Sequence, residues 1–174
     1  MRQKSRLYYG ETGGTPLGKL LVAVSKNGLV AIQTGMNRGE FEGHLQKRLK
    51  CETEYAPERV KAAAAQLEEY LAGKRRTFTL PVDWTLFSEF KRLALQATFT
   101  IPYGETRTYK EITKQIGRPG AARAVGRAEA TNPLPLVIPC HRVIGSDGKL
   151  HGYGMGEGLK TKEWLLKMEG AVMA

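Results

Sequence analysis

The short stretch Arg118-Pro119-Gly120 constrains this chain more than any other, because it separates two runs that both read as helix. Proline has no backbone N–H and clashes with the preceding turn, so one continuous helix cannot pass through it. On the N-terminal side, Thr108 and Glu111 have the spacing of a capping box. They open a helix from Tyr109 to Ile116 that Gly117 can end. On the far side, Ala121-Ala122-Arg123-Ala124-Val125-Gly126-Arg127-Ala128 is a helix of mostly small residues that stops before Asn132-Pro133. Two short helices around a tight, glycine-containing turn predict a helix-turn-helix.

The rest of the second part is also mainly helical. Thr85 is the expected cap of a helix whose core stripe is Phe90, Leu93, Ala94 and Ala97. After the helix-turn-helix come an extended apolar stretch from Leu134 to Ile138, a turn signal at Asp147-Gly148, and a last helix around Trp164, Leu165 and Met168 closed by Gly170. The first part reads as strands and then helices. Arg6 to Gly10, Gly18 to Ser25 and Gly28 to Thr34 are short and rich in Leu, Val, Ile and Tyr, with a hairpin signal at Asn27-Gly28. Asn37 and Glu40 suggest a capping box for a helix reaching Leu49. Pro57 can start the next helix, with Val60, Ala64, Leu67 and Leu71 on one face and Gly73 as its stop. Thr77 to Leu80 reads as a strand, and Pro81 begins a linker that sets the domain boundary, giving domains 1–82 and 83–174.

At 174 residues the chain holds one full core or two small domains. No stretch approaches the roughly 18 apolar residues of a membrane span. The basic start, Met1-Arg2-Gln3-Lys4-Ser5-Arg6, lacks the apolar segment of a signal peptide. A cytoplasmic protein without membrane association is therefore expected, its two cysteines, Cys51 and Cys140, reduced. A formal charge of +10 suits a polyanionic partner. That charge is spread over both halves, so placement matters more than the total. Residues 105–142 carry seven basic and three acidic side chains around the helix-turn-helix, which favours DNA.

Cys140 lies in Pro139-Cys140-His141-Arg142-Val143. A lone cysteine is often a small buried hydrophobe. Pro139 cannot donate a ladder hydrogen bond, so it is expected to end a strand and set Cys140 at an element boundary. The adjacent His141 and Arg142 are of the kind that lower a thiol's pKa toward the thiolate. Adjacent side chains diverge in a strand, so contact between Cys140 and His141 requires a turn, a helix start or a bridging water. These neighbours leave the buried hydrophobe and the nucleophile both open.

Several motifs in order settle on a family. Tyr109, Arg123-Ala124-Val125-Gly126, Asn132-Pro133, Ile138-Pro139-Cys140-His141-Arg142-Val143-Ile144-Gly145, Gly152-Tyr153, Glu163-Trp164-Leu165-Leu166 and Glu169-Gly170 together resemble the O6-alkylguanine-DNA alkyltransferases, also called methylated-DNA-protein-cysteine methyltransferases. The first part is similar in its order of elements and in Thr15-Pro16-Leu17-Gly18. The resemblance implies an α+β chain: a small N-terminal ribonuclease-H-like α/β domain, then a mainly helical winged helix-turn-helix domain carrying the active-site cysteine. It implies direct-reversal DNA repair, in which O6-alkylguanine is flipped out of double-stranded DNA and its alkyl group passes irreversibly to Cys140, once per molecule, with O4-alkylthymine open as a second substrate.

Residue by residue, the resemblance makes Cys140 the acceptor. His141 takes its proton through a water, Glu169 orients His141, and Asn132 ties the turn ahead of the active-site strand. Tyr109 donates to the departing guanine, as a positioned donor must where negative charge develops. Arg123 enters the base stack in place of the flipped nucleotide, and Ala122, Ala124, Gly126 and Arg127 complete a minor-groove surface. Pro135, Val143, Tyr153 and Gly154 wall the pocket. The resemblance implies a monomer with no cofactor, and no metal ligand set is evident, His44 and Cys51 being the sole candidates in the first part.

Three departures stand out. Arg127 and Glu129 occupy recognition-helix positions that are often small or apolar in the family, and Gly154-Met155-Gly156-Glu157-Gly158 is longer than the usual loop. The alternative function is a DNA-binding damage sensor or regulator without transfer chemistry, but such sensors lack the cysteine. A cysteine hydrolase with His44 or His151 as base is a further rival.

Overall fold

The computed structural model describes residues 5–171, so the basic run Met1-Arg2-Gln3-Lys4 lies outside the described residues. The chain divides between Leu86 and Phe87 into two compact units. In the first, β1 (Arg6–Glu11), β2 (Leu21–Ser25) and β3 (Gly28–Gln33) form an antiparallel meander. The Asn27-Gly28 turn behaves as its sequence predicts. Gly28 has φ +136°, and a Cβ there would lie 2.5 Å from the Pro81 carbonyl, so only glycine fits. Gly18 is in a turn with φ +81°, which is why β2 begins later than expected. Helix α1 (Arg38–Leu49) starts where Asn37 Oδ1 accepts from the Glu40 amide at 2.8 Å, and it buries Phe41 and Leu45 in one cluster with Leu7, Tyr9, Leu21, Val30 and Cys51. Pro57 opens a 3₁₀ turn, Pro57–Arg59, rather than the helix itself, and α2 (Lys61–Leu71) buries Ala63 in place of the expected Ala64.

Two expectations for this unit fail. β4 (Glu52–Tyr55) was not foreseen; it pairs parallel to β1 and completes the order β3-β2-β1-β4. It is a polar edge strand, exposed at three of its four residues, with no apolar face to give an alternating pattern. Conversely, Thr77 to Leu80 is not a strand. Gln66 occupies it, its side-chain oxygen accepting from the Thr79 amide at 2.9 Å and its amide donating to Thr79 Oγ1 at 2.8 Å. The chain rejoins β3 just after, where Leu29 bridges Val82.

In the second unit, α3 (Glu89–Phe99) begins after Ser88, not Thr85, whose hydroxyl and amide are held by Asp83. The capping box at Thr108 and Glu111 forms as predicted, with both reciprocal bonds, and opens α4 (Tyr109–Gln115). Gly117, φ +68°, ends it in a Schellman motif: the Arg118 amide donates to Thr113 O and the Gly117 amide to Lys114 O. Helix α5 (Ala122–Ala130) follows, completing the helix-turn-helix. Ala94, Ala97, Ile101, Ile112, Val125, Ala128 and Val143 form its shared core.

The segment from Leu134 to Ile138 is not the expected extended strand. It is a run of turns in which the Ile138 amide donates to Leu134 O at 2.9 Å and Leu136 takes φ +75°. Asp147-Gly148 does form a turn, closed by Gly145 N to Lys149 O at 3.0 Å. It makes no hairpin, because β6 (Val143–Ile144) pairs in parallel with β5 (Arg107–Thr108). Helix α6 (Leu159–Met168) ends at Glu169, with Gly170 at φ +71°. No helix among the described residues is long and apolar enough to cross a membrane.

Candidate active site

Pro139 delivers the chain into a 3₁₀ turn, Cys140–Arg142. Cys140 therefore sits at an element boundary, as expected, but after turns rather than a strand. All three residues of the turn are buried, His141 completely. Asn132 organises the approach. Its Nδ2 donates to Ile138 O at 2.9 Å, and its Oδ1 accepts from the Leu134 amide at 2.9 Å. Both ends of the turn are thus tied by one side chain, and the same amide lends a hydrogen bond to Cys140.

The turn splits its two basic residues from the cysteine. His141 Nε2 lies 2.8 Å from Glu169 Oε2. Arg142 grips the same carboxylate from Nε to Oε1 at 2.8 Å and from Nη2 to Oε2 at 2.9 Å, while its Nη1 donates to Ile101 O at 2.6 Å. The expectation that Arg142 supports the thiolate is therefore overturned: its guanidinium is consumed by Glu169. Burial alone would raise the Glu169 pKa, but the bonds and charges of His141 and Arg142 outweigh it and hold the carboxyl far below the ordinary range. His141 is lowered by burial, against the bond and charge of Glu169, which favours its neutral form. The Cys140 thiol is pushed up to about 12, by burial first and then by the nearby Glu129 carboxyl, with Asn132 and Lys162 pulling the other way.

Tyr109 is the first residue of α4, placed by the capping box and by the β5–β6 ladder, which pairs Arg107 with Val143 and Thr108 with Ile144. This two-residue ladder links the start of α4 to the end of the cysteine turn. The Tyr109 hydroxyl is pushed up to about 12, by burial and then by Glu129 and Cys140, so it keeps its proton for donation. A Cβ on Gly126 would come to 4.0 Å from the Tyr109 ring, an ordinary contact distance.

Helix α5 has two faces. Val125, Ala128 and Glu129 are buried, while Ala122, Arg123 and Arg127 are exposed and Ala124 and Gly126 half-buried. Arg123 and Arg127, one turn apart, project from the open face. Ala121 caps the helix without a side-chain bond. Of the expected pocket residues, Pro135 and Val143 are buried, Tyr153 is half-buried and Gly154 exposed. The long loop after Tyr153 folds back on α6: Met155 is buried, and the Glu157 amide donates to Thr161 Oγ1 at 2.9 Å. The extra residues are thus tied to the first turn of α6.

Sequence reasoning missed Lys162 and assigned Glu129 no role. The Lys162 ammonium donates to Val143 O at 2.7 Å and His151 O at 2.8 Å, and it is almost fully buried. A signal existed: Lys162, Leu165, Leu166 and Glu169 follow the i, i+3, i+4, i+7 spacing of one helix face, so both charges lie on the inner side. His151, the base of the hydrolase alternative, is exposed and lies 3.4 Å from Asp147. No group of three or more potential metal ligands occurs among the described residues, and Cys51 packs in the core of the first unit.

Two family models match consecutive parts of the chain. The ribonuclease-like domain of 6-O-methylguanine DNA methyltransferase covers residues 7–84, and its DNA binding domain covers residues 89–171. A methylated-DNA-protein-cysteine methyltransferase of Methanosarcina barkeri is 44% identical over 157 residues, which span 89% of this chain and 92% of that protein. The constitutive enzyme of Bacillus subtilis is 38% identical over 92% of this chain and 94% of its own. Among solved structures, Mycobacterium tuberculosis O6-methylguanine methyltransferase is similar at a TM-score of 0.75 and 36% identity, covering 94% of this chain and 93% of that one. The same organism's protein solved in complex with DNA is similar at 0.74 and 35%, over 95% and 92%. By these matches, which run through both units and the cysteine turn, the chain belongs to the methylated-DNA-protein-cysteine methyltransferase family.

Proposed function

We propose that this protein repairs O6-alkylguanine in duplex DNA by taking the alkyl group onto Cys140, one group per molecule. The observation that carries the proposal is the second unit's arrangement. A buried thiol opens the 3₁₀ turn whose next two residues, His141 and Arg142, bind the Glu169 carboxylate, and a helix-turn-helix presents Arg123 and Arg127 on its open face.

The alkylated oxygen is shielded inside the stack, so the nucleotide must leave it, at a cost of a few kcal/mol. Arg123, at the exposed start of α5, fills the gap, and the small residues Ala122, Ala124 and Gly126 let the helix sit close in the minor groove, with Arg127 on the backbone. His141, oriented by Glu169, draws the thiol proton away through a water. The sulfur then attacks the alkyl carbon, the carbon–O6 bond breaks, and its electron pair goes to the guanine. Tyr109 donates to the base as that charge grows. The product is a thioether with no leaving group for return, which makes the reaction stoichiometric. Pro135, Val143, Tyr153 and Gly154 line the base's side of the pocket, and O4-alkylthymine is the second substrate to test. A cytoplasmic location and a monomeric state go with this reading, since a reducing milieu keeps Cys140 free and one molecule carries every group the reaction needs.

The test is mass spectrometry of the Cys140 peptide after incubation with duplex DNA containing O6-methylguanine. One added methyl group on Cys140 is expected. An unmodified peptide from folded, DNA-binding protein overturns the proposal in favour of a damage sensor or regulator.

A further inference from the structure

Glu129 lies on the inner face of α5, 6% exposed, and the mechanism above leaves it unused. Its Oε1 is hydrogen-bonded to Thr98 Oγ1 on α3. Thr98 Oγ1 also lies 3.0 Å from the Ala94 carbonyl one turn back. A hydroxyl has one proton, and the Ala94 carbonyl has none to give. That one proton is therefore shared between the Ala94 carbonyl and Glu129 Oε1, so Thr98 gives the carboxyl at most a divided donor. The second carboxyl oxygen, Oε2, is buried and makes no hydrogen bond among the described residues. That is a modest loss for a neutral acid's carbonyl oxygen and a severe one for a carboxylate.

The titratable groups around it come from three other elements. Cys140 on the 3₁₀ turn, Tyr109 on α4 and Lys162 on α6 all interact electrostatically with Glu129. Burial pushes the carboxyl up to about 8, against the opposing Thr98 bond and Lys162 charge. Lys162 is lowered to about 8, by burial first, with Cys140 and Glu129 opposing. A carboxylate and a thiolate that are both buried and interact electrostatically repel, so ionisation of one opposes ionisation of the other.

We propose that Glu129 tunes the acceptor thiol through its charge state: as a neutral acid it permits the Cys140 thiolate, and once ionised it opposes thiolate formation. Glu129 is on this view a positioning residue that acts through Cys140. The inference deepens the acceptor role proposed for Cys140 and rests on that role only for its second readout.

The experiment compares the protein with its Glu129→Gln variant, whose side-chain carbonyl can accept from Thr98 as the carboxyl does but which cannot ionise. The first readout is the rate at which iodoacetamide labels Cys140, resolved from Cys51 by peptide mass spectrometry. The second is benzyl transfer from free O6-benzylguanine. In the unmodified protein both rates should climb with pH and flatten near pH 8, where Glu129 takes the negative charge. In the Gln variant they should keep climbing, so that the ratio of variant to wild type grows about tenfold between about pH 7 and about pH 9. Lys162 is present in both proteins, so its own titration enters both profiles. Glu129→Met, equally unable to ionise, should give the same divergence and serves if the Gln variant does not fold. Parallel profiles in a folded variant overturn the inference. Divergent labelling without benzyl transfer at any pH leaves the inference standing and overturns the repair reading instead.

Discussion

Glu169 and Glu129 are both closed off from solvent in the same unit, yet the pKa of the first is held far below the ordinary range and that of the second is pushed up to about 8. The difference is their partners: two cationic or donor side chains for Glu169, a hydroxyl for Glu129. Glu169→Ala leaves Arg142 buried without its carboxylate, and should destabilise the protein by about 3 to 5 kcal/mol in urea unfolding. The pH dependences have opposite signs. Glu169, depressed in the folded state, contributes stability above the unfolded carboxyl pKa that is lost as pH falls through its folded value. Glu129, raised, contributes stability at low pH that is lost from about pH 4.5 up to its folded pKa of about 8. The stability gap between Glu129→Gln and wild type should therefore widen in the variant's favour across that window, by up to roughly 1.4 kcal/mol per pH unit. Urea midpoints measured from about pH 5 to about pH 8 check it, and a constant gap counts against a protonated Glu129. Arg123 is argued on different grounds. Its alanine variant should lose transfer from duplex DNA far more than transfer from free O6-benzylguanine, because only the duplex needs the gap filled; equal losses would give Arg123 a role in the pocket.

Among the elements, the start of α4 joins local sequence chemistry to the site. Thr108 caps the helix, pairs in the ladder with Ile144, and immediately precedes Tyr109. Thr108→Ala removes one half of the capping box and should cost about 0.5 to 2 kcal/mol. It should also slow benzyl transfer, since Tyr109 loses the fixed first turn that aims it; thermal melts and single-turnover rates separate the two effects. Helix starts and stops of this kind were legible because their signals are local: Asn37, Thr108, Gly117 and Gly170 all act as their residue types predict. Pairing was less legible. Glu52–Tyr55 became a strand because the edge of β1 was available, and Thr77 to Leu80 did not because Gln66 took its backbone amide. Leu134 to Ile138 has the apolar content of a strand, but Asn132 folds it into turns.

For the whole molecule, the +10 charge favours any polyanion, and the exposed arginines of α5 give that attraction a place to act. Affinity for undamaged duplex should fall steeply between about 50 and about 200 mM salt as counterions are released. Arg127→Ala should weaken binding evenly across sequences and lower the slope of log affinity against log salt by about 0.9, the value for one lost phosphate contact. Fluorescence anisotropy over a salt series measures this, and an unchanged slope would remove Arg127 from the DNA-facing surface.

The sequence by itself determined the helix-turn-helix, the element boundary at Cys140 and, through ordered motifs, the family. Each depends on residues close together in the chain or on a recurring pattern of them. Only the tertiary structure decided what Arg142, Lys162 and Glu129 do. A charge beside a cysteine in sequence reads as a partner for it, yet the 3₁₀ turn sends Arg142 to Glu169 instead. The charged groups brought up to Cys140, Glu129 and Lys162, come from α5 and α6, 11 and 22 positions away. Burial then sets their protonation, because desolvation depends on everything packed around a group and not on its neighbours along the chain.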